Sequence, residues 1–136
     1  MAEEVLMNDG GAPARILPFT AKEAITAGAA IAITETADVL QVKLADEDGV
    51  PVAGFALTDA AAGAICNVIS GSGVILNALV DGDSVNVGIG EFLEIGENGT
   101  LIGQASPADK TVVAVALEKM DDAVAAGVPL TKVLVL

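Results

Sequence analysis

Few side chains in this sequence could carry out chemistry. Histidine is absent from the 136 residues, and Cys66 is the one cysteine. The commonest general base and the usual zinc ligand are therefore missing, and neither a Ser-His-Asp nor a Cys-His arrangement can be assembled. Cys66 stands in the apolar run Ala64 to Ser70 and reads as a small buried side chain. It has no partner for a disulfide within the chain. Carboxylates remain. On a strand, Phe92 and Glu94 share one face and Leu93 and Ile95 the other, so Glu91 and Glu94 point opposite ways. With no Trp or Tyr to stack a sugar, they do not form a glycosidase pair. Asp46-Glu47-Asp48 lacks the spaced oxygens and closing Glu of a calcium loop and reads as a solvated turn. Gly71-Ser72-Gly73 lacks the Lys and the following helix of a phosphate loop. Lys110, after Asp109, lacks the surroundings of a lipoyl or biotinyl attachment site. The expectation is a protein that is not an enzyme, with no cofactor and no metal.

The elements around these residues alternate with period two. In Val39 to Leu44, Leu40, Val42 and Leu44 share one face, while Gln41 and Lys43 share the other. Similar strands are expected at Ala29 to Thr34, Gly54 to Thr58, Ala64 to Ser70, Ser84 to Val87, Phe92 to Ile95, Thr111 to Leu117 and Thr131 to Leu136. Turn clusters separate them: Asp46 to Pro51, Gly71 to Gly73, Asp81-Gly82-Asp83, Ser106-Pro107, and Asn98-Gly99 as a tight hairpin. Thr20 to Ala27 and Asp121 to Ala126 could each supply a turn or two of helix. A turn ending in glycine before an alternating strand recurs at uneven intervals, which excludes a solenoid array and reads as a set of glycine turn positions.

Composition constrains the setting. Hydrophobic residues are 53% of the chain but aromatics only 2%, so the core must be aliphatic. A mean hydropathy of +0.66 is an apolar excess that subunit interfaces could hide, which points to an oligomer. Nineteen acidic residues against six basic give a net charge of −13, which argues against nucleic-acid binding and against anionic membrane surfaces. Ala60 to Val80 carries no formal charge, but its glycines, serines and asparagines do not suit a membrane span. Met1-Ala2-Glu3-Glu4 is acidic where a secretory signal is basic, so no export is expected.

Residues 1–18 form a segment of different character. Asn8 to Pro13 is a breaker cluster, and Pro13 and Pro18 favour an extended chain. The expectation is an extended N-terminal arm over 1–18 and an all-β barrel domain with little helix over 19–136. The apolar residues of the arm either pack on their own domain or reach a neighbour. In the second case Ile16, Leu17 and Phe19 would form the interface, with Arg15 pairing to an acidic residue.

Three stretches carry a family resemblance. They are Val52 to Ala64 (VAGFALTDAAAGA), Gly82-Asp83-Ser84-Val85 and Glu91 to Leu101 (EFLEIGENGTL), followed by Val113 to Glu118 (VAVALE) and the closing Val133 to Leu136. As an ordered set they resemble the capsid cement, or head decoration, proteins of tailed phages and related viruses, over about Ile25 to the C-terminus. The resemblance implies a small β-barrel or β-tulip, usually trimeric, made in the host cytoplasm. It would bind the major capsid protein on the outer surface of the virion, between capsomers, and stabilise the shell. It carries over no catalytic residue. The alternatives are another virion or surface-layer structural subunit and, in another class, a small-molecule binding β-barrel.

Overall fold

The computed structural model describes residues 15–46, 52–81, 87–103, 112–119 and 130–136. Among these there are ten strands and no helix: β1 Arg15–Thr20, β2 Ala30–Thr36, β3 Val39–Leu44, β4 Val52–Ala56, β5 Ile65–Ser70, β6 Ile75–Leu79, β7 Phe92–Ile95, β8 Leu101–Gly103, β9 Ala114–Ala116 and β10 Leu130–Val135. They form two five-stranded antiparallel sheets, ordered β1-β5-β4-β2-β3 and β6-β10-β9-β7-β8. The all-β expectation holds, as a sandwich-like pair of sheets and not as one closed barrel. The strand expected at Ser84 to Val87 and the helical turn at Asp121 to Ala126 fall largely or wholly outside the described residues. The helical turn expected at Thr20 to Ala27 is replaced by pairing. The Ile25 and Ala60 backbones exchange hydrogen bonds of 2.8 and 2.9 Å, and the Ala21 N–H donates to the Ala64 carbonyl at 2.9 Å. These bonds give the backbone partners in place of a helical turn.

The two sheets repeat one topology. Renaming β1 to β5 as β6 to β10 converts the first strand order into the second. Each sheet also curls until its first and third strands meet. The parallel bridge Ala21↔Val42 recurs as Val80↔Leu101, both partners moved on by 59 positions. The hydrogen bond beside it recurs too: Lys22 N–H to the Val42 carbonyl, and Asp81 N–H to the Leu101 carbonyl, both 2.8 Å. The hairpin joining the second and third strands of each sheet turns through two successive left-handed residues, Ala37 and Asp38 in one sheet, Asn98 and Gly99 in the other. The displacement grows to 65 by the last strand (Ile65–Ser70 against Leu130–Val135). That drift is why no fixed period is visible in the sequence.

The first sheet buries apolar side chains on both faces. Ile31, Val42, Cys66 and Val68 fill the inside of the first curl, with Phe19 and Ile33 packed against them. Ala30, Ala32, Phe55 and Ile69, on its outer face, join Leu76, Ala78, Leu93, Leu101 and Val133 of the second sheet in a second core. A single chain thus buries much of its aliphatic excess in two clusters. The strands meet closely where glycine permits. A Cβ on Gly54 would overlap the Ile69 carbonyl.

Candidate interaction surfaces

No convergent set of reactive groups emerges among the described residues. Among the described residues, no three of His, Cys, Asp and Glu lie close enough together to hold a metal ion. Asp46 is exposed, and the rest of its acidic turn lies outside the described residues. Glu91 is exposed while Glu94 is buried. Cys66 is buried, and burial pushes its thiol pKa up, away from the reactive thiolate. No helix among the described residues is long and apolar enough to cross a membrane. A cleft of about 360 Å³ opens between the sheets, lined by Val52, Phe55, Ile69, Val113 and Val135, with Ser70 and Ser72 as the polar side chains among the described residues. Among the described residues no charged side chain lines it.

The exposed apolar side chains are the distinctive feature, and the sequence reading located part of them. β1 spans the arm boundary at residue 18, pairing along β5 from Arg15↔Ser70 to Thr20↔Ile65. It lies at the edge of its sheet, with Pro18 at a position that only an edge strand tolerates well. Arg15, Ile16 and Leu17 are exposed on it, whereas Phe19 is half-buried against the core of its own sheet. Phe19 thus offers less surface to a partner than the other three. Val39 and Leu40, unremarked beyond their strand pattern, are more exposed than Leu17 and begin β3, the opposite edge. β1 and β3 run parallel towards the Ala21↔Val42 bridge. Leu17 and Leu40 thus stand at one open end of the curl, on the strand faces that carry Phe19 and Val42 inward.

The second sheet bears a different surface. Phe92 pairs with Val115, Val115 with Leu134 and Leu134 with Ile75. An apolar row therefore crosses four strands on the face turned away from the core. None of its members belongs to either buried cluster. Phe92 is 44% exposed and the other three are half-buried.

No family model and no curated protein sequence matches the chain. A solved structure does resemble it: the head fiber gp8.5 N base of bacteriophage phi29, with a TM-score of 0.69 and 20% identity, over 91% of this chain and 95% of that one. The likeness establishes a shared fold across nearly the whole length.

Proposed function

We propose that this chain is a structural subunit of a virion that decorates the outer surface of a viral capsid and stabilises the shell. Its partners would be the major capsid protein and further copies of itself. The observation that carries the reading is the fold: nearly the whole chain superposes on the base of a phage head fiber. The surface supports it. Rigid strands present Ile16, Leu17, Val39, Leu40 and Phe92 to solvent, and exposed apolar groups of this kind mark sites of protein association. The charge of −13 disfavours nucleic acid as the ligand, and a chain without histidine is poorly equipped for acid–base catalysis.

A protein that binds only the assembled shell stabilises it by mass action at every occupied site. The test is to heat shells of the cognate capsid with and without the protein and record the disruption temperature. A higher temperature at full occupancy supports stabilisation. Bound protein that leaves the temperature unchanged would instead mark a display or adhesion part of the virion, and no binding at all would remove the capsid reading.

A further inference from the structure

The internal repeat shows how two of these five-stranded units pack, and the chain exposes the two surfaces needed to repeat that packing with another copy. In the first sheet, Ile16 pairs with Ile69, Ile69 with Phe55 and Phe55 with Ala30. This outer row is the counterpart of Ile75, Leu134, Val115 and Phe92. Three members of the first row are buried, Ile69, Phe55 and Ala30, in the core shared with the second sheet. Their counterparts in the second row have no such cover among the described residues.

The open ends of the two curls show the same asymmetry in reverse. By the 59-position displacement of the closing bridges, Leu76 and Gly99 of the second sheet fall where Leu17 and Leu40 fall in the first. The hairpin of the second sheet is shorter, so its Asn98-Gly99 turn comes at the level that Leu40 holds as a strand residue. Leu76 is buried in the same core as Phe55 and Ile69. Gly99 lies against the first sheet: its N–H donates to the Ala45 carbonyl at 2.6 Å and its carbonyl accepts from the Ala30 N–H at 2.7 Å. The open end of the second curl is thus stoppered by the outer face of the first sheet. Nothing among the described residues stoppers the open end of the first curl, where Leu17 is 39% and Leu40 55% exposed. Among the described residues, one uncovered open end and one uncovered outer face are thus left on the same molecule.

We propose that copies of this chain associate head to tail, the Leu17–Leu40 end of one seated on the Phe92–Val115–Leu134 face of the next, as an intermolecular continuation of the contact between the two sheets. Leu40 and Phe92 stand where Gly99 and Ala30 meet, so side-chain packing replaces the close backbone approach there. The interface is heterologous, two different patches, and builds a ring if the rotation closes and a filament if it does not. It deepens the self-association part of the proposed function and requires only copies of this chain, so its test does not depend on capsid binding.

The experiment is multi-angle light scattering on the full chain and on Leu40→Glu, Phe92→Glu and, as a control of equal charge, Ile65→Glu, which alters an exposed residue outside both patches. Circular dichroism and thermal melts establish that each variant is folded. The wild type and Ile65→Glu are expected to assemble beyond the 13.5 kDa monomer, and the two patch variants to be monomeric at the same concentration. Mixed in equal amounts, the patch variants should form a one-to-one pair and stop, because each retains the half that the other lacks. A monomeric wild type, patch variants that still assemble, or a mixture that stays monomeric while the wild type assembles would each overturn the proposal.

Discussion

Leu17 and Leu76 occupy the same position in the two halves of the fold, one 39% exposed and the other fully buried. Each follows an isoleucine on the first strand of its sheet and lies four residues before the residue that closes the curl, Ala21 or Val80. Only the second has a neighbouring sheet over it. Truncation to alanine should separate them. Leu76→Ala should cost about 2–5 kcal/mol, the range for a leucine removed from a packed core, and Leu17→Ala under about 1 kcal/mol in the monomer. Urea denaturation at low protein concentration measures both.

Thr131 is a second case of unequal counterparts. It takes the place in β10 that Cys66 takes in β5, and both are buried. The Thr131 hydroxyl oxygen has no hydrogen-bond partner among the described residues. An unmatched buried hydroxyl carries its desolvation cost without return. Thr131→Val keeps the branched shape and should hold stability level or raise it by about 1 kcal/mol. A loss of stability in chemical denaturation would show that the hydroxyl has a partner after all.

The raised pKa of Cys66 has a sign in stability. Burial disfavours the thiolate, so the folded chain holds its proton above the ordinary value of 9.0. Below that value both states are protonated and this group adds no pH dependence. Above it the unfolded chain ionises first, and stability falls by at most about 1.4 kcal/mol per pH unit until the folded-state pKa is reached. Cys66→Ala should lose some packing but shed this component of the alkaline slope. The comparison is denaturation of both proteins from neutral pH upward; identical slopes would mean that the thiol titrates alike in both states.

Truncation at the N-terminus divides at β1. Deleting residues 1–14 leaves every described strand in place, whereas deleting residues 1–20 removes the whole of β1, its pairing with β5 and the packing of Phe19. The longer deletion should lower the melting temperature by several degrees relative to the shorter one. Equal melting temperatures would mean that β1 contributes little to the sheet it borders.

The strands with one wet face were legible in the sequence. Val39–Leu44 and Phe92–Ile95 have the bounds that their alternation indicated, and Asn98-Gly99 forms its tight turn because both residues accept a left-handed backbone. β6 was not visible as a strand. Its sequence, ILNAL, places apolar residues on both faces, so the alternation that marks a half-buried strand is lost. Most of β1 was read as part of an extended arm because the Asn8 to Pro13 breakers and the two prolines favour extended chain without marking a partner, although an edge strand accommodates a proline. The hairpin turn at Ala37 and Asp38 lacks a glycine and gave no signal. The exposed surface was partly legible. Ile16 and Leu17 stand out beside Arg15, but Leu40 and Phe92 resemble ordinary core residues until the topology leaves them uncovered. The duplication itself lies in registers and bridges, which residue identities do not record.

Salt should tell apolar self-association from charge pairing. Each copy carries a net charge of −13, so bringing copies together is opposed by like-charge repulsion, while the Leu17–Leu40 end and the Phe92–Val115–Leu134 row attract through burial of apolar surface. Raising the salt concentration from roughly 10 mM to roughly 150 mM shortens the screening length from about 30 Å to about 8 Å. Repulsion between the copies falls over that range, while apolar burial is largely unaffected. Association should therefore tighten with added salt, and the apparent Kd from sedimentation equilibrium should fall by several-fold. Contacts built mainly on Arg15, Lys22 or Lys132 against carboxylates would respond in the opposite direction, because screening weakens attraction between unlike charges as it weakens repulsion between like ones. A Kd that rises with salt would thus replace the apolar interface with an ionic one, and the same titration on Leu40→Glu would show whether the leucine end takes part in it.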